Sequence, residues 1–265
     1  MKQFLFILFL MFVFVASKGQ QKDSILIQQS VPEGPNIINP YGGLPEGFNY
    51  WEDKFKGHWS GVYFGLNGLA KTDYSMYPSE ETGFLDSKLI RSTVLDVNLI
   101  QLSQGLQHTR NTIGLVTGLG MEFQTYFLHK NTSVEKGVDR IQPVTLYYDS
   151  NQKSKFSSAY LSVPLLVEFQ IPIEDYGNRF YISTGIVANK RLSTHTKIKY
   201  RKNNKKEKLK TPDDFYMHDV RVSAVVRAGY RWVNLFASYD LQPLFQENKG
   251  PAVYPFSFGV ALFTF

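Results

Sequence analysis

The 265-residue sequence has no cysteine. That removes any disulfide framework and any thiol for lipid attachment, so stability must come from packing or from a surrounding membrane. Long apolar runs are also scarce. After the first twenty residues the best stretch, residues 160–171, is interrupted by Pro164 and Glu168. No later segment approaches the roughly 20 apolar residues of a spanning helix, which excludes a helical membrane protein. Histidine is sparse too: His58, His108, His129, His195 and His218 show no metal-ligand spacing, and neither a metal nor a cofactor is expected.

What is present starts with a leader. One lysine precedes an apolar run at residues 4–15, closed by Ala16, Ser17, Lys18 and Gly19. The run is too short to span and ends in small residues, so residues 1–19 are read as a secretory signal peptide, cut after Gly19 or after Ser17. Residues 20–57 are rich in proline, glycine and asparagine without sustained periodicity. They read as an irregular periplasmic lead-in. The domain proper is expected over residues 58–265.

There the pattern has period two. Over residues 112–127, Ile113, Leu115, Leu119, Met121, Phe123 and Phe127 fall at odd positions, against Gly114, Gly118, Gly120, Glu122 and Gln124 at even ones. A helix would not sort them this way, because only a strand sends successive side chains to opposite faces. The same parity appears in seven more segments: Val62, Phe64 and Leu66; Leu95, Val97 and Leu99; Leu161 to Phe169 by twos; Phe180, Ile182 and Ile186; Val220, Val222 and Val226; Val233 and Leu235; and a last segment at residues 255–265 with large apolar groups at both parities.

Connections after the second, fourth and sixth strands are short, whereas those after the first, third, fifth and seventh are mostly long. An even strand number with this alternation predicts an all-β fold, an eight-stranded antiparallel transmembrane β-barrel with short periplasmic turns and long external loops. The terminal Phe265, after Leu262 and Phe263, suits recognition by the outer-membrane insertion machinery. Aromatics near strand ends, namely Tyr126, Tyr160, Tyr176, Tyr230, Trp232, Tyr239 and Tyr254, are expected in interfacial girdles.

The segments Gly114-Leu-Val-Thr-Gly-Leu-Gly-Met-Glu, Tyr160-Leu-Ser-Val-Pro-Leu-Leu-Val-Glu-Phe, Thr196-Lys-Ile-Lys-Tyr and Pro251-Ala-Val-Tyr-Pro-Phe-Ser-Phe-Gly-Val carry a resemblance. The chain resembles the PorT-like outer membrane β-barrel family of Bacteroidetes over residues 51–265. The resemblance implies a location in the cell outer membrane and a barrel fold more than an activity; one branch of that family is linked to protein secretion machinery.

Charges fall on the polar parity at Asp96, Glu122, Glu168, Arg221, Arg227 and Asp240. An eight-stranded barrel is wide enough only for side chains, so these should form an interior network, with Glu122 near Arg221 and Glu168 near Arg227. A gated ion or proton path is the sharper alternative. The loop at residues 197–210 carries Lys197, Lys199, Arg201, Lys202, Lys205, Lys206, Lys208 and Lys210 against the single Glu207. If external, it would face lipopolysaccharide phosphates. It lacks the interleaved aromatics of a nucleic-acid site, and no nucleic acid is expected as a partner.

The glycine-rich residues 114–120 lack the Lys-Ser/Thr of a phosphate loop. His218 and Asp219 are sequence neighbours and point to opposite strand faces, which makes a poor catalytic pair. No catalytic residue is assigned. The expected partners are outer-membrane lipid, the insertion machinery and other envelope or secretion proteins. The reading is a non-enzymatic envelope assembly or protein-export accessory; a narrow transport or lipid-binding barrel is the alternative, and an outer-membrane enzyme the weaker one.

Overall fold

The computed structural model describes residues 55–107, 112–129, 132–145, 153–173, 175–202 and 205–264. The signal peptide, the lead-in before residue 55, His108 and Phe265 lie outside these residues, as does the side chain of Tyr176.

Eleven strands follow one another in the described chain: β1 (Gly61–Asp73), β2 (Thr93–Gly105), β3 (Ile113–Phe127), β4 (Thr132–Lys136), β5 (Ile141–Thr145), β6 (Lys153–Ile173), β7 (Asp175–Lys202), β8 (Lys205–Pro212), β9 (Val220–Tyr230), β10 (Val233–Asp240) and β11 (Ala252–Thr264). Eight of them close a ring in the order β1, β2, β3, β6, β7, β9, β10, β11 and back to β1, every neighbour antiparallel. These are the eight segments of period-two patterning, and the fold is an all-β barrel. Closure leaves no open ladder around the ring, which is how a sheet of this size disposes of its edges.

The barrel is inside-out relative to a soluble one. Along β7, Tyr181, Ser183 and Asn189 are buried, while Ile182 and Ile186 between them are exposed. The same inversion holds on β3, where Leu115, Leu119, Met121 and Phe123 face outward, and on β6, where Val163, Leu165, Phe169 and Ile171 do so. The apolar parity therefore forms the outer surface, and the parity carrying glycine, serine, asparagine and charge forms the lumen.

Bulges reset that parity. Leu99 is the extra residue between Asn98 and Ile100 against β3. Before it, Val94, Asp96 and Asn98 face inward; after it, Gln101 and Ser103 do. Leu192 is the extra residue of β7 against β6, and beyond it Thr194, Thr196 and Ile198 take over the buried face. A bulge adds one residue to one strand, so the facing of everything beyond it is exchanged.

The turns at one end are tight; between β9 and β10 only Arg231 and Trp232 intervene, with Arg231 at φ 54°. At the other end the long connections fold over the mouth. Tyr77, Phe84 and Leu85 after β1, Val134 and Ile141 of the β4–β5 hairpin, Phe215 and Met217 before β9, Phe245 before β11 and Val253 at its start pack with Phe156 into one buried cluster. Two expectations change here. Tyr126 and Tyr160 belong to this inner cluster, about 1% exposed, and are not part of an outer girdle. The segment at residues 197–210 is no loop: it completes β7 and forms β8, paired residue by residue from His195 with Pro212 to Lys202 with Lys205.

Candidate functional site: the filled lumen

The lumen holds two charged clusters, one of them built around a stretch of the chain itself. Near the mouth covered by the long connections, Arg221 on β9 donates to Glu122 on β3 and to Asp240 on β10. Ser223 Oγ donates to the second Asp240 oxygen at 2.6 Å, and the Arg221 guanidinium lies 4.1 Å over the Tyr160 ring. The polar parity of three separate strands thus converges on one cation. Both carboxylates are satisfied by a planar donor suited to serving two acceptors at once. The expected partnership of Glu122 and Arg221 is present.

The second cluster differs from the expected one. Glu168 does not reach Arg227; its oxygens accept from the His58 backbone N–H at 3.1 Å, lie 2.7 Å from His58 Nδ1, and accept from Gln170 Nε2 at 2.7 Å. Arg227 instead lies over the rings of Trp59 and Tyr63, at 4.2 and 4.1 Å, and donates to the carbonyls of His58 and Trp59 at 3.3 and 3.2 Å. Two aromatic faces and two carbonyl oxygens replace the carboxylate, an arrangement that guanidinium tolerates because it is weakly hydrated and stacks well.

Residues 55–60 run inside the barrel rather than beneath it, so residues 55–57, expected in the lead-in, belong to the domain. Gln101 receives the Ser60 N–H at 2.9 Å and donates to the Gly57 carbonyl at 2.8 Å. Gln170 donates to the Lys56 carbonyl at 2.7 Å, Ser103 to Phe55 at 3.3 Å, and Asn98 to Trp59 at 3.2 Å. His58 stacks on Tyr181 with ring centroids 4.1 Å apart. Phe55 and Trp59 pack with Val116, Leu166, Val187 and Val225.

Glycines make the room. A Cβ on Gly114 would lie 2.4 Å from the Phe55 ring, and one on Gly57 would lie 2.4 Å from Val116. This explains why the even-numbered glycines of β3 share one parity.

Between the clusters remains a cavity of about 20 Å³, lined by Trp59, Asp96, Asn98, Glu122, Asn189 and Arg227 among others. It is large enough for a water molecule and too small for a solute. Asp96 sits beside Glu122 across β2 and β3, and its Oδ1 is buried with no protein partner.

The weaker catalytic candidates do not assemble. Asp219 pairs with Arg191 at 2.6 Å and Lys190 at 3.8 Å, while the His218 backbone N–H donates to the Leu244 carbonyl. His195 lies opposite Pro212 on β8 and Ser157 on β6. Burial, then the nearby Lys210 and Lys197, pushes its pKa down. Among the described residues no three His, Asp or Glu side chains gather as a metal-ligand set.

The lumen plug was missed in the sequence because six residues carry no readable period. The signal available was the break at Leu99-Ile100, two consecutive outward apolar residues that imply a bulge and turn Gln101 inward. Comparisons with protein-family models, curated proteins and solved structures find no match to this chain.

Proposed function

We propose that this chain is an outer-membrane β-barrel that does not conduct solutes and acts as an envelope assembly or protein-export accessory component. One observation carries the reading: the barrel is apolar outside and polar inside, with its lumen filled by its own residues 55–60. Soluble monomers rarely expose apolar patches beyond a few hundred Å², whereas a membrane barrel needs an apolar outer band about 25 Å tall. On β6 the outward residues from Leu161 to Ile171 supply it, and Phe64, Leu235, Phe258 and Val260 supply it on the far side of the ring.

The filled lumen argues against a porin. A cavity of about 20 Å³ passes no sugar or amino acid, and paired charges on a packed plug are what an eight-stranded interior accommodates. With the lumen filled, the folded cap and the barrel exterior are the surfaces open to partners. That favours a docking or assembly role, in keeping with the resemblance to PorT-like barrels.

The test is separation of inner from outer membranes followed by electrophoresis of unboiled and boiled protein, with planar-bilayer recording of the purified chain. A faster-migrating unboiled band in the outer-membrane fraction, with no discrete conductance steps, is the expected result. Recovery in the soluble fraction without a mobility shift would overturn the membrane reading, and stable ion conductance would overturn the closed-lumen reading.

A further inference from the structure

Six lysines form a grid of two rows on one face of the β6–β7–β8 flap. Lys155, Lys197 and Lys210 are direct cross-strand neighbours in one row; Lys153, Lys199 and Lys208 are neighbours in the next. Opposed residues on antiparallel strands hold their Cβ atoms about 4.5–5.5 Å apart, and the rows are about 6.6 Å apart along the strands. Each lysine is therefore rooted within about one Debye length, ~8 Å, of several others.

The opposite face of the flap carries Ser154, Phe156, Thr196 and Ile198, all buried. The lysines face outward because the Leu192 bulge exchanges the facing of β7 at that level. Without it Lys197 and Lys199 would continue the lumen parity.

Among the described residues no carboxylate pairs with any of the six. Glu207, the only acid at residues 197–210, lies on the other parity and accepts from the Tyr200 hydroxyl at 2.6 Å. Lys155 is 3.8 Å from the centroid of the Phe127 ring, and its pKa is pushed down by burial and then by Lys199, Lys197 and Lys153. Like charges directly opposed destabilise a sheet, so two rows of three call for a multivalent counter-anion.

We propose that this grid binds the phosphorylated headgroups of lipids around the long-loop end of the barrel, an inference that rests on the membrane reading above. Position selects a lipid over a soluble anion. On β6 the outward face passes from Leu161 and Ala159 to Lys155 within a few residues. At about 3.3 Å per residue and a tilt near 40°, Lys155 stands only about 10 Å beyond Ala159 along the membrane normal. That height belongs to the headgroup zone, and a flat array there meets phosphates arranged in a plane. Two of the six, Lys153 and Lys155, come from β6 and lie outside the basic segment visible in the sequence.

The test uses the full-length chain and a variant with all six lysines changed to glutamine (K153Q, K155Q, K197Q, K199Q, K208Q, K210Q). Each is inserted into phosphatidylcholine vesicles with or without a bisphosphorylated glucosamine lipid, and lipid retention is read by native mass spectrometry after detergent extraction. Unboiled mobility in pure phosphatidylcholine reports insertion separately from headgroup binding. Wild type should retain the phosphorylated lipid in preference to its dephosphorylated form, and the variant should insert equally but lose that preference.

Equal retention by the two proteins, equal retention of phosphorylated and dephosphorylated lipid, or binding of inorganic triphosphate without lipid binding would each overturn the proposal. Failure of both proteins to insert would overturn the membrane reading and this inference with it.

Discussion

Arg221 offers the sharpest quantitative test. It is about 3% exposed and donates to two carboxylates, Glu122 and Asp240, that have no other cation beside them among the described residues. Changing it to methionine keeps much of the volume and removes the charge. Each lost charge-assisted hydrogen bond is worth about 1.5–3 kcal/mol, and stranding the partners of a buried ion pair costs about 3–5 kcal/mol. The two figures overlap. R221M should therefore lower the unfolding free energy by about 3–5 kcal/mol, a hundredfold to several thousandfold in the folded population.

Urea unfolding in phospholipid vesicles, followed by tryptophan fluorescence, would measure it. Neutralising the stranded groups as well, with Arg221→Met, Glu122→Gln and Asp240→Asn together, should recover most of the loss, since no unpaired charge then remains buried. A single variant within about 1 kcal/mol of wild type would refute the reasoning. So would a triple variant as unstable as R221M, which would assign the effect to lost stacking on Tyr160 instead.

Other consequences can be checked in the same system. Gly114→Val should drive the Phe55 ring from its seat, because even a Cβ there would lie 2.4 Å from it; protease cleavage near residue 55 in inserted protein should rise severalfold, and unchanged cleavage would contradict the plug. Tyr77→Phe should leave the Ile141 carbonyl without its 2.8 Å hydrogen bond, costing about 1–3 kcal/mol and speeding amide exchange in the β4–β5 hairpin. Burial also holds the Tyr77 and Tyr74 phenols up at about 12, so Tyr74→Phe and Tyr77→Phe should each remove one tyrosine from the late-titrating fraction in alkaline difference spectra. Asp214 is held below its ordinary value of 3.8 first by a hydrogen bond from Lys136. A depressed acid stabilises the fold above its unfolded pKa and ceases to as pH falls through the lowered one. The cap should therefore loosen only below pH ~3.8, and Lys136→Met should remove most of that acid dependence while leaving the cap looser at neutral pH, read by hydrogen exchange at residues 132–145.

The barrel was legible because strand facing has a period of two and the interior of a narrow ring admits only small or paired polar groups. Ile182 and Ile186 against Ser183 and Asn189 already state which side is which. The charge network was half legible: Glu122 and Arg221 share a depth and do meet, whereas Glu168 is claimed by His58, a residue outside any periodic segment. Depth alone could not foresee that competition. The basic segment at residues 197–210 looked like a loop because its lysines hide the alternation of Ile198, Tyr200 and Leu209, and its register with Lys153 and Lys155 is a tertiary fact. The cap is less readable still, since Tyr77, Phe84, Ile141, Phe215 and Phe245 come from four connections with no common spacing.

The placement of residues 55–60 also has a mechanical side. They precede β1 directly, so a pull on the chain upstream of Phe55, directed out of the short-turn end, loads Ser103, Gln101, Gln170 and Glu168 before it reaches the β1 ladder. Those few side-chain bonds are spaced along the segment and would yield one after another, whereas the many ladder bonds of the wall yield together. Tension on the N-terminal side would thus draw the plug out of an intact cylinder, leaving a closed barrel that force can open.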